Sequence, residues 1–523
     1  MTTLLSNVSA PARLGLLSLS ALLWLGCPSG STGGTDGGLP SDPPQVTLGI
    51  PDTDAVGTTF RLNLSVSGCD TVKTLVLLDH DQPIKTVAYK GAPTPVELSF
   101  DEVPFNHQVA AQLLLSAKVT CGNGRTVTSD PQAARFLPVA EVFSLPSGEQ
   151  VAPDLFFAEG SGAATTFVGC SEVNGARALV RVDTSGAIKA VQGSLPFACS
   201  LSSVFMDRNP ASGTRWWYEP GVGAAAFDAS LNRTSYFTGK VQSLVVTSNG
   251  DAVALITSSS GLTACGYVAN STAPNAPTAP TFCRQASGIP LTGPVLNGTT
   301  VSSAYFDIVN SQASSTSLNV EKFDYTNPAG ATTKYQLALL PPYDPVHPSY
   351  PVVAFHPDGS TLYYGVALSN GQAQVLACST QGPGCSGATL RWTSPSFAES
   401  PLLLLPYASG ARLAVVTAHH VYFIRTDTGL AANPNAINPT GALVANGVQP
   451  GNGNDIYLLF GQSQTGLPLE IVGLDSAESG EVFRYGLLAG SVTVAIADDG
   501  QPWLRVGPKL VRPLPLSTYR QVH

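Results

Sequence analysis

Nine cysteines are the residues of this 523-residue chain whose spacing limits their chemistry most sharply. A thiol can bind a metal, form a disulfide or accept a covalent group. The chain has no Cys-x-x-Cys pair and no histidine at ligand spacing from a cysteine pair, so the pattern favours disulfides over zinc. If Cys27 is set aside, eight remain, which allow 105 connectivities. The domain layout described below favours pairing between neighbours, namely Cys69–Cys121, Cys170–Cys199, Cys265–Cys283 and Cys378–Cys385.

Three short stretches combine aromatic rings with acids or histidines: RWWYEPGVG (215–223), LPPYDPVHPSYP (340–351) and TAHHVYF (417–423). Such side chains can hold a glycan or a peptide by stacking and hydrogen bonding. The alternative is structural, because alternation along a strand would place one of the two adjacent tryptophans in the core. The candidates for a ligand-binding face are Trp216, Trp217, Tyr218, Glu219, Tyr343, Asp344, His347, Tyr350, His419 and His420.

No catalytic or cofactor motif accompanies these residues. Gly-x-Ser-x-Gly, His-Glu-x-x-His and P-loop patterns are all missing from the sequence, and we assign no catalytic residue, metal or cofactor. Charged residues make up 12 % of the chain and the net charge is −9, with no basic block. This balance argues against nucleic-acid binding and against docking on anionic lipid by charge.

The remaining thiol, Cys27, follows an apolar run of 13 residues, LGLLSLSALLWLG (14–26). As a helix the run would span about 20 Å, too short for a bilayer core, so it is interpreted as a signal peptide over residues 1–26. Gly26 before Cys27 resembles the lipobox of bacterial lipoproteins, although Trp24 and Leu25 depart from the usual residues. The resemblance implies a lipid on Cys27, and Pro28 after it implies an outer-membrane destination. Residues 27–44 then form a Gly/Ser/Pro-rich tether.

From about residue 150, two patterns repeat along the chain. In the first, a small-polar turn separates two apolar stretches, as in VVTSNGDAVALIT (245–257) and VAFHPDGSTLYYGVA (353–367). In the second, an aspartate-based turn follows an apolar pair of residues. Successive turns of this kind are about 48 residues apart, or about twice that. A unit of this length with two hairpin turns predicts one four-stranded blade of a β-propeller. The aspartates of the second pattern are Asp183, Asp228, Asp324, Asp427 and Asp475.

The repeats predict a propeller over residues 139–523, with eight blades favoured and seven as the alternative. Expected first strands start near 154, 200, 242, 293, 350, 400, 441 and 491, and VAEVFSLP (139–146) is expected to supply the outer strand of the last blade. Where the aspartate pattern skips a period, we expect the disulfides Cys265–Cys283 and Cys378–Cys385 to replace it. The segment HPDGSTLYYG (356–365) resembles the hairpin of WD40-like repeats in exported bacterial proteins, which implies the fold and no activity.

Residues 45–138 alternate strands and turns and resemble a bacterial immunoglobulin-like (Ig-like) sandwich. In this interpretation Cys69 and Cys121 bridge the two sheets, and Asp79-His80-Asp81 forms a solvated turn rather than a metal site. The predicted fold class is therefore all-β, a small sandwich followed by a large propeller.

Together these features favour an exported lipoprotein that acts as a non-enzymatic binding or assembly platform at the cell envelope. Its expected partners are the membrane, through the N-terminal lipid, and an envelope protein or glycan, with the propeller as a monomer. The alternatives are an envelope enzyme acting on polysaccharide, as a lyase or hydrolase, and a surface adhesin or sensor.

Overall fold

The structure of the protein is a computed structural model. It describes residues 42–103, 112–144, 155–173, 176–185, 187–190, 205–208, 212–258, 261–285, 288–308, 316–340, 351–368, 370–432, 442–450, 455–461, 470–475, 480–486, 492–497, 499, 501–506, 509–515 and 518. These residues form strands joined by turns and four short 3₁₀ segments, so the predicted all-β class is confirmed. Within these ranges no helix has the length and apolar character that crossing a bilayer requires. The proposed signal peptide, Cys27 and most of the tether lie outside them.

The first nine strands build an N-terminal module of two sheets. One sheet has the order β1 (Gln45–Gly49), β3 (Phe60–Ser67) and β6 (Thr94–Leu98). The other contains β2 (Asp54–Gly57), β4 (Val72–Asp79), β5 (Gln82–Thr86), β7 (Gln112–Cys121), β8 (Thr126–Thr128) and β9 (Gln132–Ser144).

Period-two alternation explains why these segments form a sandwich. In β3 every second side chain (Phe60, Leu62, Leu64, Val66) is buried, and they meet residues of the other sheet such as Phe136. Burying each of these side chains contributes about 1.5–3 kcal/mol. The predicted Cys69–Cys121 disulfide is confirmed and joins the end of β7 to the residues after β3. The Ig-like assignment of this module stays a prediction.

Eight successive antiparallel sheets follow, each beginning near one of the expected first strands. Sheet 1 contains β10 (Leu155–Glu159), β11 (Thr166–Val173), β12 (Ala176–Asp183) and β13 (Ile188–Ala190). Sheet 2 contains β14 (Phe205–Arg208), β15 (Arg215–Glu219), β16 (Gly223–Phe227) and β17 (Arg233–Thr238). Sheet 3 contains β18 (Lys240–Val246), β19 (Ala252–Ser258), β20 (Gly261–Tyr267) and β21 (Phe282–Gln285). In sheet 4, β22 (Ile289–Pro290) and β23 (Val295–Asn297) both pair with β24 (Thr300–Ile308), before β25 (Thr316–Asp324) and β26 (Thr333–Leu340).

The remaining sheets repeat the same meander. Sheet 5 contains β27 (Val353–Phe355), β28 (Thr361–Ala367), β29 (Ala373–Ser379) and β30 (Leu390–Thr393). Sheet 6 contains β31 (Leu403–Tyr407), β32 (Arg412–Val416) and β33 (Val421–Arg425). Sheet 7 contains β34 (Ala442–Pro450), β35 (Asp455–Gly461), β36 (Glu470–Asp475) and β37 (Gly480–Gly486). Sheet 8 contains β38 (Val492–Ile496), β39 (Pro502–Val506) and β40 (Lys509–Pro513), followed by the end of β9.

Apolar clusters between neighbouring sheets arrange them as a β-propeller. Separate clusters join sheet 1 to 2, 2 to 3, 3 to 4, 4 to 5 and 5 to 6. A further cluster joins sheet 8 back to sheet 1, where the rings of Phe167 and Trp503 meet edge to face at 4.8 Å. Sheets 1 to 5 therefore have a neighbouring sheet packed on both faces, which is the packing of a propeller. The number of blades stays a prediction.

Strand β9 connects the N-terminal module to the last propeller sheet. Its first half pairs with β7 and β2 of the module, and Val139–Ser144 pair with β40. The expected closing strand is thus confirmed over 139–144. The expected domain boundary at 138/139 falls inside this strand, and Leu504 and Val511 of sheet 8 belong to the module's own core.

The two sequence patterns occupy two kinds of turn at the same edge of the sheets. The small-polar turns lie between first and second strands, and the aspartates lie at the ends of third strands or just after them. Asp228 shows the mechanism, because its Oδ1 accepts hydrogen bonds from the Ser230 and Asn232 N–H groups, both at 2.8 Å. Asp183 and Asp324 act in the same way, whereas Asp427 pairs with the Arg425 guanidinium at 2.9 Å.

Sheets 3 and 5 have disulfides at this third-to-fourth position, as predicted. Cys265 and Cys283 are directly opposite in the β20–β21 register, and Cys378 of β29 is bonded to Cys385 in the following loop. The expected Cys170–Cys199 pair stays a prediction, because Cys199 lies outside the described residues.

Candidate functional site

The predicted ligand face is the edge that carries the second-to-third-strand turns and the connectors between sheets. Two of the three candidate stretches have described residues there. Residues 220–222 join β15 to β16 in sheet 2, and residues 417–420 join β32 to β33 in sheet 6. Tyr343, Asp344, His347 and Tyr350 belong to the third stretch and lie outside the described residues.

Trp216 and Trp217 are fully buried, so neither side chain is available to a ligand. Trp216 packs in the cluster between sheets 2 and 3, and its Nε1 donates to the Gly250 carbonyl oxygen at 2.9 Å. Trp217 packs between sheets 1 and 2, edge to face with Phe157 at 5.0 Å. The expectation placed only one of them in the core. Both are there because sheet 2 has a neighbouring sheet on each face.

Tyr218 and Glu219 lie at the end of β15 but are mostly covered. Glu219 is buried, and Tyr218 is half-buried. Burial raises the pKa of the Tyr218 phenol to about 12, and the Asp207 carboxylate adds to this effect. The phenol therefore stays neutral at physiological pH. The most exposed apolar side chain of this turn is Val222, at 39 %.

His419 and His420 belong to a more open group, which we call the rim cluster: Glu399, Thr417, His419 and His420. The Glu399 carboxylate lies between the other members. Its Oε1 is 2.7 Å from His419 Nδ1, and its Oε2 accepts hydrogen bonds from Thr417 Oγ1 at 2.8 Å and from the His419 N–H at 3.0 Å. His420 Nδ1 is 3.6 Å from the same Oε2.

Hydrogen bonding keeps Glu399 ionised. Burial acts to raise its pKa, but the bonds from Thr417 and His419 outweigh burial and hold the pKa of Glu399 at about 2. A carboxylate only accepts hydrogen bonds, so the His419 ring must carry its proton on Nδ1. That leaves Nε2 of a largely exposed ring (76 % of the side chain) for an outside group.

Sequence reasoning identified the two histidines and missed Glu399. This residue lies in the connector between sheets 5 and 6, in SPSFAES (394–400), and reaches His419 only because the connector crosses the same edge as the 417–420 turn. One signal was available, since it is the only acidic residue between Cys385 and His420. Leu402 adjoins the cluster, because its N–H donates to the Val416 carbonyl at 2.7 Å, and it is 59 % exposed.

The rim cluster can therefore present one fixed negative charge and one oriented imidazole to a partner, and Leu402 beside it adds one apolar side chain. Among the described residues, no group of three or more His, Cys, Asp or Glu side chains has an arrangement that would hold a metal ion.

Comparison with known proteins gives similarity of fold alone. No protein-family model and no curated protein matches the sequence. Among solved structures, the chain is similar to the C-terminal WD40 domain of Sif2, with a TM-score of 0.45, 8 % identity, and coverage of 71 % of this chain and 100 % of that one. The Dos1 propeller matches with a TM-score of 0.45 and 10 % identity, over 72 % of this chain and 95 % of that one. A Mycobacterium tuberculosis puromycin-hydrolyzing peptidase matches with a TM-score of 0.39 and 11 % identity, over 69 % and 60 %.

Proposed function

We propose that this protein is an exported lipoprotein of the outer membrane, held by lipid on Cys27, whose propeller is a non-enzymatic binding platform for an envelope protein. The N-terminal module, of Ig-like type, would act as a stalk between the tether and the propeller. The observation that carries this proposal is strand β9. Because one strand belongs to both the module and sheet 8, the stalk has no flexible linker to the platform.

The rim cluster supports binding rather than proton transfer. A carboxyl group with a pKa near 2 is a poor general acid or base at neutral pH, because effective catalysts have a pKa near the working pH. Leu402 offers apolar contact, and Glu399 and His419 beside it offer the polar contacts that give a protein interface its specificity. We therefore place the partner-binding surface at Glu399, Leu402 and His419.

Affinity capture from detergent-solubilised envelope tests this surface with two variants of the full-length protein. Leu402→Ser combined with His419→Ala removes the apolar and imidazole contacts and should reduce partner recovery at least about fivefold. Leu430→Ser is the matched control, because Leu430 is 62 % exposed in the loop that follows β33, the third strand of the same sheet, at the opposite edge. Equal recovery by all three proteins, or turnover of a glycan by the unaltered protein, would contradict the proposal.

A further inference from the structure

A cleft lies between sheets 4 and 5 at the edge opposite the rim cluster. It has a volume of about 310 Å³, which is at the lower end of the range for small-molecule sites. Strands β24, β25 and β26 form one wall. The turn after β27 and the disulfide-bonded loop after β29 form the other.

The cleft exists because one face of sheet 4 changes from apolar to polar along β25. Leu318 and Val320 are fully buried against sheet 5, and the next residues on the same face are Lys322 and Asp324. Their cross-strand partners continue the polar surface, with Ser302 and Thr333 opposite Lys322 and Thr300 opposite Asp324. At this end of the strands, polar side chains take the place of the apolar side chains that fill the space between sheets 4 and 5 around Leu318 and Val320.

Both walls are fixed to each other before any ligand arrives. Asn297 Nδ2 donates to the Asp358 carbonyl at 2.6 Å, and the Gly384 N–H donates to the Gln336 carbonyl at 2.7 Å. The Cys378–Cys385 disulfide constrains the loop that carries Gln381, another lining residue. A site that is already ordered loses less entropy on binding.

Lys322 supplies the positive charge of the cleft. Among the described residues, its ammonium makes no direct hydrogen bond or ion pair, although it is only half-exposed. Burial lowers the pKa of this ammonium, and the Asp358 carboxylate acts in the opposite direction. Because burial removes part of the hydration of this half-exposed ammonium, a ligand oxygen at this position would restore part of what desolvation removes.

The two carboxylates of the cleft restrict the charge of that ligand. Hydrogen bonds from the Thr326 hydroxyl and N–H lower the pKa of Asp324. At Asp358 burial acts to raise the pKa, but bonds from Ser360 and the His356 ring outweigh it. Both are therefore ionised at neutral pH, and with Lys322 they give the cleft a net charge of about −1. An anionic ligand would be repelled.

We propose that this cleft is a binding site for a neutral polyhydroxylated ligand, one or two sugar units in size. Sugar hydroxyls both donate and accept, so they can bond to Asp324 and Asp358 while accepting from Lys322 and Gln381. The Tyr335 ring, which also lines the cleft, offers an apolar surface to the C–H groups of a sugar. The site is independent of the proposed partner surface, which lies at the other edge.

Isothermal titration calorimetry on the full-length protein tests this site with four probes: cellobiose, chitobiose, digalacturonate and trialanine. We expect one or both neutral disaccharides to bind, and digalacturonate and trialanine to bind at least about tenfold more weakly. Lys322→Met should weaken disaccharide binding at least about tenfold. Lys240→Met is the matched control, because it removes one positive charge from an exposed position on β18 and should change nothing.

Each other result overturns the proposal. Preference for digalacturonate would indicate an anion site, and binding of trialanine alone would indicate a peptide site. If neither neutral disaccharide binds, the cleft is not a sugar site. Equal effects of the two lysine variants would place the sugar elsewhere. If Lys322→Met does not fold, as judged by thermal unfolding, Gln381→Ala at an exposed position replaces it, with the same expected loss of disaccharide binding.

Discussion

At the scale of single residues, Glu399 is the group on which the rim cluster depends. Its carboxylate orders two side chains and one backbone N–H of the 417–420 turn. The histidines were predictable because two adjacent imidazoles in a short apolar segment are conspicuous in a chain with seven histidines. The role of Glu399 was not predictable, because it depends on a contact between segments 20 residues apart, and its being the only acidic residue between Cys385 and His420 does not say what it contacts.

The lowered pKa of Glu399 gives a pH dependence whose sign can be tested. Because the folded-state pKa is about 2 and the ordinary value is 4.5, its contribution to stability is present above pH 4.5 and is lost as the pH falls towards 2. Glu399→Gln should therefore lower the free energy of unfolding by about 1 kcal/mol at pH 7, a modest figure because the side chain is partly solvated. The difference from the unaltered protein should disappear near pH 2.

Thermal unfolding of both proteins at pH 7, 4.5 and 2.5 measures this difference. Glu97→Gln is the control, because Glu97 forms an exposed ion pair with Arg61 and should have little effect at any pH. A Glu399→Gln effect that is constant across the pH range would contradict the assigned ionisation.

The tryptophans show why residue-level prediction fails in this fold. Alternation along a strand distinguishes core from surface only when one face of the sheet is solvated. In sheet 2 both faces are covered, so Trp216 and Trp217 point to different neighbours and are equally buried.

At the scale of elements, the turn between the third and fourth strands of a sheet is stabilised in one of two ways in this chain. An aspartate organises the backbone through hydrogen bonds in sheets 1, 2 and 4, and a disulfide occupies the position in sheets 3 and 5. The period of the aspartates, together with the cysteines in the gaps, was enough to predict this alternation. Both devices act within one pair of neighbouring strands and its loop, at most 18 residues apart, so the local sequence contains the signal.

Loop length predicts how much each described disulfide stabilises the fold. The bonded cysteines are 52, 18 and 7 residues apart in Cys69–Cys121, Cys265–Cys283 and Cys378–Cys385. In the chain-entropy model, replacing each pair by alanine should cost about 4, about 3 and about 2.5 kcal/mol, in that order. Denaturant unfolding of the three double variants measures the order, and non-reducing peptide mapping of the unaltered protein confirms the pairs. Finding the greatest loss for the shortest loop would contradict this ranking.

The cleft between sheets 4 and 5 marks the limit of element-level prediction. The strands that form each wall are predictable from the sequence pattern. The space between the walls is not, because it depends on how sheets 4 and 5 face each other. Lys322 on β25 and Asp358 in a turn of sheet 5 have no relation in the sequence that would bring them together.

At the scale of the whole molecule, β9 joins the two parts of the protein. Its pairing with β40 supplies the outer strand of sheet 8, and its other half completes the module. The closing strand was predictable from the short last repeat. The shared core that Leu504 and Val511 form with the module was not, because it arises only once the two parts are adjacent.

The proposed anchoring depends on Cys27, and intact-mass and peptide mass spectrometry of the protein purified from its native envelope tests it most directly. The account predicts that the mature chain begins at Cys27 and that this residue has a diacylglyceryl thioether and an acylated amine. Cys27→Ser should release the protein from the membrane fraction, because it removes the acceptor of the lipid. A mature chain with an unmodified Cys27 thiol, or one that begins after residue 27, would contradict the account.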